Sequence, residues 1–276
     1  MDNHNPYPAA WNGLTKIWVQ VTSGGAPFPP SFHEMFTQPM FSVDMEIWEQ
    51  DHPYDFHRLF PSGGYGTHGK GLSYLFTSDP GKGIPSGPPI PKDEPDDYPW
   101  DPSGGRGDPG FDVLVLHDQL DWPESTHETI RKEVAAKKGF VVIHHALGDN
   151  QAWPWWHEEV TGGLLVLDNQ SEKAKSTISR SASLEMRPVG NHPILTGIQP
   201  FHLTGETAYR GMWQSPKITP ILQSAGLGTD KTLAWIGPNQ DTRVVCIQPG
   251  AATGTHRNEN YRKLVRNSIL WCAGRL

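Results

Sequence analysis

The sequence predicts an α/β fold, an open and mostly parallel sheet forming a single domain over residues 1–276. Three observations carry that prediction. Phe111 to Leu116 (FDVLVL) is, but for Asp112, a continuous apolar run of the kind buried on both faces of a parallel sheet. From there a strand, a helix and a second strand follow within about 33 residues, which is a βαβ unit. The chain then closes on an amphipathic helix, Glu259 to Cys272, with Tyr261, Leu264, Val265, Ile269 and Leu270 along one side.

Leu14 to Val21 (LTKIWVQV) reads as the first strand, rich in β-branched and aromatic residues and ending at Ser23-Gly24-Gly25. A loop holding Phe28, Phe32, His33 and Glu34 leads to Phe41 to Trp48, whose alternation fits a half-exposed strand. Between Asp79 and Gly110, 16 of 32 residues are Pro or Gly, with seven acids against three bases. Such a stretch cannot sustain regular elements and reads as a surface insertion or lid on the one domain. Pro123, Ser125 and Glu128 supply helix-start chemistry, the last two in capping-box spacing. Ile130, Val134 and Ala135 give that helix its apolar stripe, and Lys137-Lys138-Gly139 its cationic last turn and glycine stop. Phe140 to Ile143 is the next buried strand. Ser176 to Val189, Pro220 to Gln223, Thr232 to Ile236 and Arg243 to Ile247 read as further strands.

Composition excludes several function classes. Mean hydropathy is −0.53, and no window reaches the roughly 18 apolar residues of a spanning helix. A net charge of −7 leaves no basic footprint for nucleic acid or anionic lipid. Residues 1–13 carry neither a basic nor an apolar leader region, so a cytoplasmic protein is expected. The two cysteines, Cys246 and Cys272, form no CxxC pair, which rules out a disulfide framework and a structural zinc knot. Gly (29) and Pro (26) imply long loops, and 13 histidines on such loops suit an enzyme better than a scaffold.

Ligands of open α/β sheets bind beyond the carboxyl ends of the strands, at a switch point of the strand order. Strand one and the FVVI strand are expected side by side there. Four strand ends each bring histidine: His33, His117 with Asp118, His144 with His145, and His256 beyond Gly250. Alternation along a strand lets at most one of His144 and His145 line the crevice. Trp153 to His157 reads either as a helix packing on the sheet or as a carbohydrate platform of indole faces. His192, ahead of a proline, reads as a loop anchor.

Several motifs in order resemble the ThuA-like (trehalose utilisation) family. They are Lys138 to His144 (KGFVVIH), Trp156 followed by Gly162-Gly163, His192 to Ile198 (HPILTGI), Glu206-Thr207-Ala208-Tyr209, Thr242 to Val245 and Asn267 to Gly274 (NSILWCAG). The similarity spans about residues 111–276. Three features depart from the family pattern: Thr207 where a second acid is usual, Gly250-Ala251 where a Gly-His is usual, and the insertion before residue 111. The resemblance implies a flavodoxin-like, class I glutamine amidotransferase-like three-layer sandwich. It further implies catabolism of trehalose or related disaccharides, including 3-keto sugars made by a partner dehydrogenase.

Amidotransferases place a cysteine at the strand-to-helix elbow; here that position is His144, so no glutaminase activity is expected. Imidazole and carboxylate remain, the tools of proton transfer. His144 is the candidate base or acid, with Glu206 orienting it or taking a second proton and His33 beside it. Tyr209, Asp118, Trp153, Trp156, His157 and His256 are the candidate substrate contacts. An enzyme of this kind should lose activity below about pH 5, as an imidazole of pKa ~6.5 protonates. A competing reading holds a divalent metal, Zn or Mn, among His33, His144 and His256, although no HxH or HExxH spacing supports it. A non-catalytic carbohydrate-binding or sensing protein is the other alternative. The expected partners are a small carbohydrate, a sugar dehydrogenase of the same pathway and other copies of the chain, with no nucleic acid or membrane.

Overall fold

The computed structural model describes residues 15–20, 30–36, 39–42, 45–50, 112–117, 122, 124–166, 171–224 and 229–276. Its strands are β1 (Thr15–Gln20), β2 (Met45–Gln50), β3 (Val113–Leu116), β4 (Gly139–Ile143), β5 (Gly163–Leu164), β6 (Thr177–Pro188), β7 (Phe201–Arg210), β8 (Trp213–Gln214), β9 (Thr219–Gln223), β10 (Thr232–Ile236) and β11 (Val244–Ile247). Its α-helices are α1 (Pro30–Phe36), α2 (Pro39–Ser42), α3 (Glu124–Ala135), α4 (Thr253–Arg257) and α5 (Glu259–Cys272). The expected insertion at 79–110 lies outside the described residues.

Among the described residues the main sheet runs β2-β1-β3-β4-β11-β10-β9-β6-β7. The first five strands are parallel, in the register Val113↔Gly139 for β3–β4 and Val244↔Phe140 for β4–β11. The other four join by antiparallel pairing. The expected mostly parallel sheet is therefore a mixed one. Among the described residues no crossover α-helix joins the strands between β6 and β10, and connections without one suit antiparallel neighbours. The strand order also separates β1 from β4, which were expected side by side: β3 lies between them.

The parallel strands β3, β4 and β11 are buried throughout. Val113, Val115, Val141, Ile143, Val245 and Ile247 face a cluster with Phe32 and Met35 of α1 and with Leu264, Val265 and Ile269 of α5. Leu114, Leu116, Phe140, Val142 and Cys246 face a second cluster with Ile130 and Val134 of α3 and with Trp153 and Trp156. Helices thus cover both faces where the continuous apolar runs required it.

Local differences from expectation have local causes. Phe32, Phe36 and Phe41, placed in a loop and a strand by their sequence, belong to the short helices α1 and α2 and fill the core. The ten-residue β7 shows no clear strand signal in the sequence, because Gly205 and polar residues interrupt its pattern. Helix α3 begins at Glu124, so Ser125 sits inside the first turn and not at the cap. Lys137, at φ 64, takes the left-handed position that ends α3. Gly139 serves packing instead: a Cβ there would stand 2.6 Å from Cys272 Cβ and 2.8 Å from its carbonyl oxygen. Gly139→Ala should cost about 1–3 kcal/mol of stability, the usual range for overpacking. Denaturant titration of the purified variant checks this, and an unchanged midpoint would mean that α5 moves aside freely.

Candidate functional site

Adjacent strands β3, β4 and β11 end on the same edge and deliver His117, His144 and the segment from Gln248 to Gly250. β4 stops at Ile143 and the chain turns at once into a 3-10 segment, His144–Gly148. His144 makes that turn at φ 55, a conformation that costs a non-glycine residue about 1–2 kcal/mol. Strain of this kind is retained where the surroundings over-determine it, as at the elbow of α/β hydrolytic enzymes.

The His144 ring is fully buried. Its Nδ1 donates to the Gln248 carbonyl at 2.9 Å, and its Nε2 lies 3.1 Å from the Tyr209 hydroxyl. The same hydroxyl is 2.8 Å from His145 Nδ1. Strand alternation would point the two rings to opposite faces. The abrupt turn at His144 ends strand alternation, so both rings meet Tyr209. The ring of His117 stands 5.9 Å from that of His144 and 6.3 Å from that of His256. His117 and His256 both bond through Nε2 to the Gly250 carbonyl at 2.7 Å, and Ser31 of α1 reaches His256 Nδ1 at 2.9 Å.

Burial dominates the electrostatics. It drives His144 well below its ordinary pKa, aided by the neighbouring imidazoles of His145 and His117. His117 is lowered to about 3, mainly by burial and against the bond to Gly250. Burial and then the Arg180 charge lower His145 to about 4. Tyr209 is pushed up by burial and by the Glu206 carboxylate. These three imidazoles are therefore neutral near pH 7.

Glu206 does not orient His144. Its carboxylate accepts from the backbone N–H groups of Thr207 (2.8 Å), Ala251 (2.9 Å) and Ala252 (3.4 Å), and from the Thr255 hydroxyl. It ties β7 to the start of α4 and holds the loop that presents the Gly250 carbonyl. Gly250 itself admits no side chain: a Cβ would stand 2.7 Å from Ile143 Cγ2 and 2.8 Å from the Tyr261 hydroxyl.

Trp153 and Trp156 are buried in the second core cluster rather than offered to a sugar. Their rings lie parallel, 6.0 Å apart, and Trp156 meets Trp122 edge-on at 5.1 Å. His127 stacks on Trp153 at 3.8 Å. His157 is buried too, its Nε2 bonded to the Asn150 carbonyl at 2.8 Å. The apolar faces of the indoles are worth more against the sheet than in water, so the packing reading prevails. His33 lies on α1 but its side chain is outside the described set, and Asp118 lies outside the described residues. His192 caps the turn at Pro193–Leu195 by accepting from the Ile194 N–H.

Among the described residues no group of three His, Cys, Asp or Glu side chains is arranged to hold a metal ion. Cys246 and Cys272 are buried, with thiols raised above their ordinary pKa by that burial. A cavity of about 390 Å³ opens at the far end of the sheet, beside Lys137, Arg243 and Trp271, away from His117, His144 and His145. No described helix is long and apolar enough to cross a membrane.

His117 and His145, strand-end histidines that did not stand among the candidate catalytic or contact residues, belong to the site. The signal for His117 is its place directly after an apolar strand, whereas strand alternation argues against His145.

No curated protein matches the chain. Among solved structures it is similar to a ThuA-like protein from Parabacteroides merdae, with 12% identity and a TM-score of 0.58, covering 94% of this chain and 90% of that one. A ThuA-like protein from Bacteroides uniformis is also 12% identical, with a TM-score of 0.55 over 96% and 95% of the two chains. A cytoplasmic protein from Salmonella typhimurium gives 10% identity and a TM-score of 0.54 over 94% and 99%. At such identities these likenesses establish the α/β fold alone. The sequence profile of the ThuA family, described as trehalose utilisation, matches residues 109–272. That match spans more than half of the sequence and takes in β3 through α5, and on it the chain belongs to the ThuA family.

Proposed function

We propose that the protein is an enzyme of sugar catabolism that acts by acid–base chemistry on a disaccharide or its 3-keto form, in hydrolysis, elimination or isomerisation. The observation that carries this reading is the hydrogen-bonded chain Gln248 carbonyl, His144, Tyr209, His145 at the carboxyl edge of the sheet. A merely packed histidine needs one partner and relaxed backbone. His144 instead keeps a strained turn and shares a phenol with a second neutral imidazole, an arrangement that stores and moves protons. Family membership supports the sugar class. The reading places the enzyme in the cytoplasm beside a sugar dehydrogenase, in a flavodoxin-like three-layer sandwich that can self-associate.

The test is turnover of a panel of disaccharides and their 3-keto forms. Because burial holds these imidazoles low, the acid limb of kcat/KM should not lie near the ordinary histidine pKa. It should lie close to the value of about 4 held by His145. Activity should thus stay level between about pH 5 and 8. The sign is that of a depressed base: neutral and competent above its folded pKa, protonated and inactive below it. A limb near pH 6.5 would point to an exposed histidine elsewhere. Turnover should also survive EDTA; loss on chelation with recovery by Zn²⁺ or Mn²⁺ would make the histidines metal ligands instead.

A further inference from the structure

The polarity of the hydrogen-bonded chain identifies the nitrogen that meets substrate. A backbone carbonyl cannot donate, so the Gln248 oxygen takes the Nδ1–H of His144. In a neutral ring this leaves the lone pair on His144 Nε2, and the Tyr209 hydroxyl must donate to it. The phenol oxygen, its proton so directed, accepts from His145 Nδ1–H. His145 therefore carries its own lone pair on Nε2, at the outer end of the chain. His144 and Tyr209 are fully buried, whereas His145 is half-buried, so His145 is the member of this trio that reaches solvent.

A second observation is the register of β6 on β7: Ile178 pairs with Tyr209, and the cation Arg180 stands two residues further along the same strand. The pairing of β6 with β7 shifts register between Ser179 and Ala182, and Ser181 adopts φ 57. Bulges bearing such strain re-aim side chains and concentrate at functional edges. Arg180 sits on this bulge, exposed, and its charge acts on both His145 and Tyr209.

Resting on the acid–base reading above, we infer that His145 is the catalytic group that touches substrate and that Arg180 receives the negative charge the reaction develops. The site would then take a sugar bearing a carbonyl, with Tyr209 and His144 as positioning residues behind His145. In the first step His145 Nε2 takes the proton from the carbon next to the carbonyl. The C–H electron pair becomes the new C=C bond, and the carbonyl π pair moves to oxygen as an enolate facing Arg180. In elimination the enolate pair re-forms the carbonyl, the C=C pair shifts to the next carbon and breaks its C–O bond, and the imidazolium gives its proton to the departing oxygen. In isomerisation the imidazolium protonates the former carbonyl carbon, while the hydroxyl on the deprotonated carbon passes its proton to the enolate oxygen and becomes the new carbonyl. No oxidant or reductant enters.

The experiment combines two readouts on the full chain. Long-range ¹⁵N imidazole spectra at pH 7 should show His145 as the Nδ1–H tautomer, and Tyr209→Phe should release that preference. An Nε2–H tautomer at His145 would overturn the inference. Exchange of the carbon-bound proton of 3-keto trehalose and 3-keto lactose in D₂O reads the chemistry. His145→Asn keeps a donor towards Tyr209 but lacks the outer base, and should exchange on the order of 10²-fold or more slowly with an unchanged melting temperature. Arg180→Gln should lower kcat at least about tenfold with partial rescue by Arg180→Lys, as for one lost oxyanion partner. If wild type exchanges and His145→Asn exchanges equally, the acid–base reading stands and this inference falls. If wild type exchanges with neither probe nor any other keto sugar of the panel, both fall.

Discussion

His144→Ala is expected to lower turnover by on the order of 10²–10⁴ while the protein stays folded, the range lost with a positioned acid–base group or with the residue that fixes its tautomer. The ring is the inner terminus of the chain: without it the Tyr209 hydroxyl has no acceptor on that side, and nothing fixes which way its proton points. The same position tests the backbone. At φ 55 an alanine keeps the left-handed cost, whereas a glycine does not. His144→Gly should therefore be more stable than His144→Ala by about 1 kcal/mol, although both lose activity. Steady-state rates and denaturant midpoints of the two variants check this pair of expectations. Wild-type turnover in either variant would remove His144 from the chemistry.

The second large effect is on stability. Glu206→Ala should cost about 3–5 kcal/mol, because a buried carboxylate leaves behind donors that nothing replaces. Three backbone N–H groups and the Thr255 hydroxyl point at that one side chain, from two segments about 45 residues apart in sequence. For a chain of this length the loss corresponds to a fall in melting temperature on the order of 10 °C. Glu206→Gln keeps one acceptor oxygen and should lose less. Activity should fall in step with loop order, since the Gly250 carbonyl that holds His117 and His256 follows the loop. A variant with full thermal stability and abolished kcat would give Glu206 a direct part in proton transfer instead.

Much of the candidate site was legible because strand ends are legible. An apolar run followed at once by histidine, as in FDVLVL-His117 and FVVI-His144, marks an imidazole at the carboxyl edge, and adjacency in a parallel sheet brings such edges together. Glu206 and Tyr209 were recognisable as a motif, yet their tasks were not. Which donors surround a carboxylate depends on how β7 docks beside the 250–255 loop, a contact across more than 40 residues that no local spacing encodes. The indoles of Trp153 and Trp156 were equally open, since the same aromatic run can serve a core or a sugar.

The sequence by itself determined the βαβ unit, the terminal helix Glu259–Cys272 and the chemistry at the strand ends, because these follow from apolar periodicity and from residues adjacent in the chain. Only the tertiary structure decided that β6, β7, β9 and β10 extend the sheet antiparallel and that the tryptophans are core. It alone also decided that Glu206 anchors a loop and that His145 joins His144 on one phenol. Each of those outcomes rests on long-range pairing and burial, where the desolvation of one group is set by whatever distant segment packs against it. A single turn at His144, with φ 55, was enough to cancel the two-residue alternation from which its neighbour had been judged.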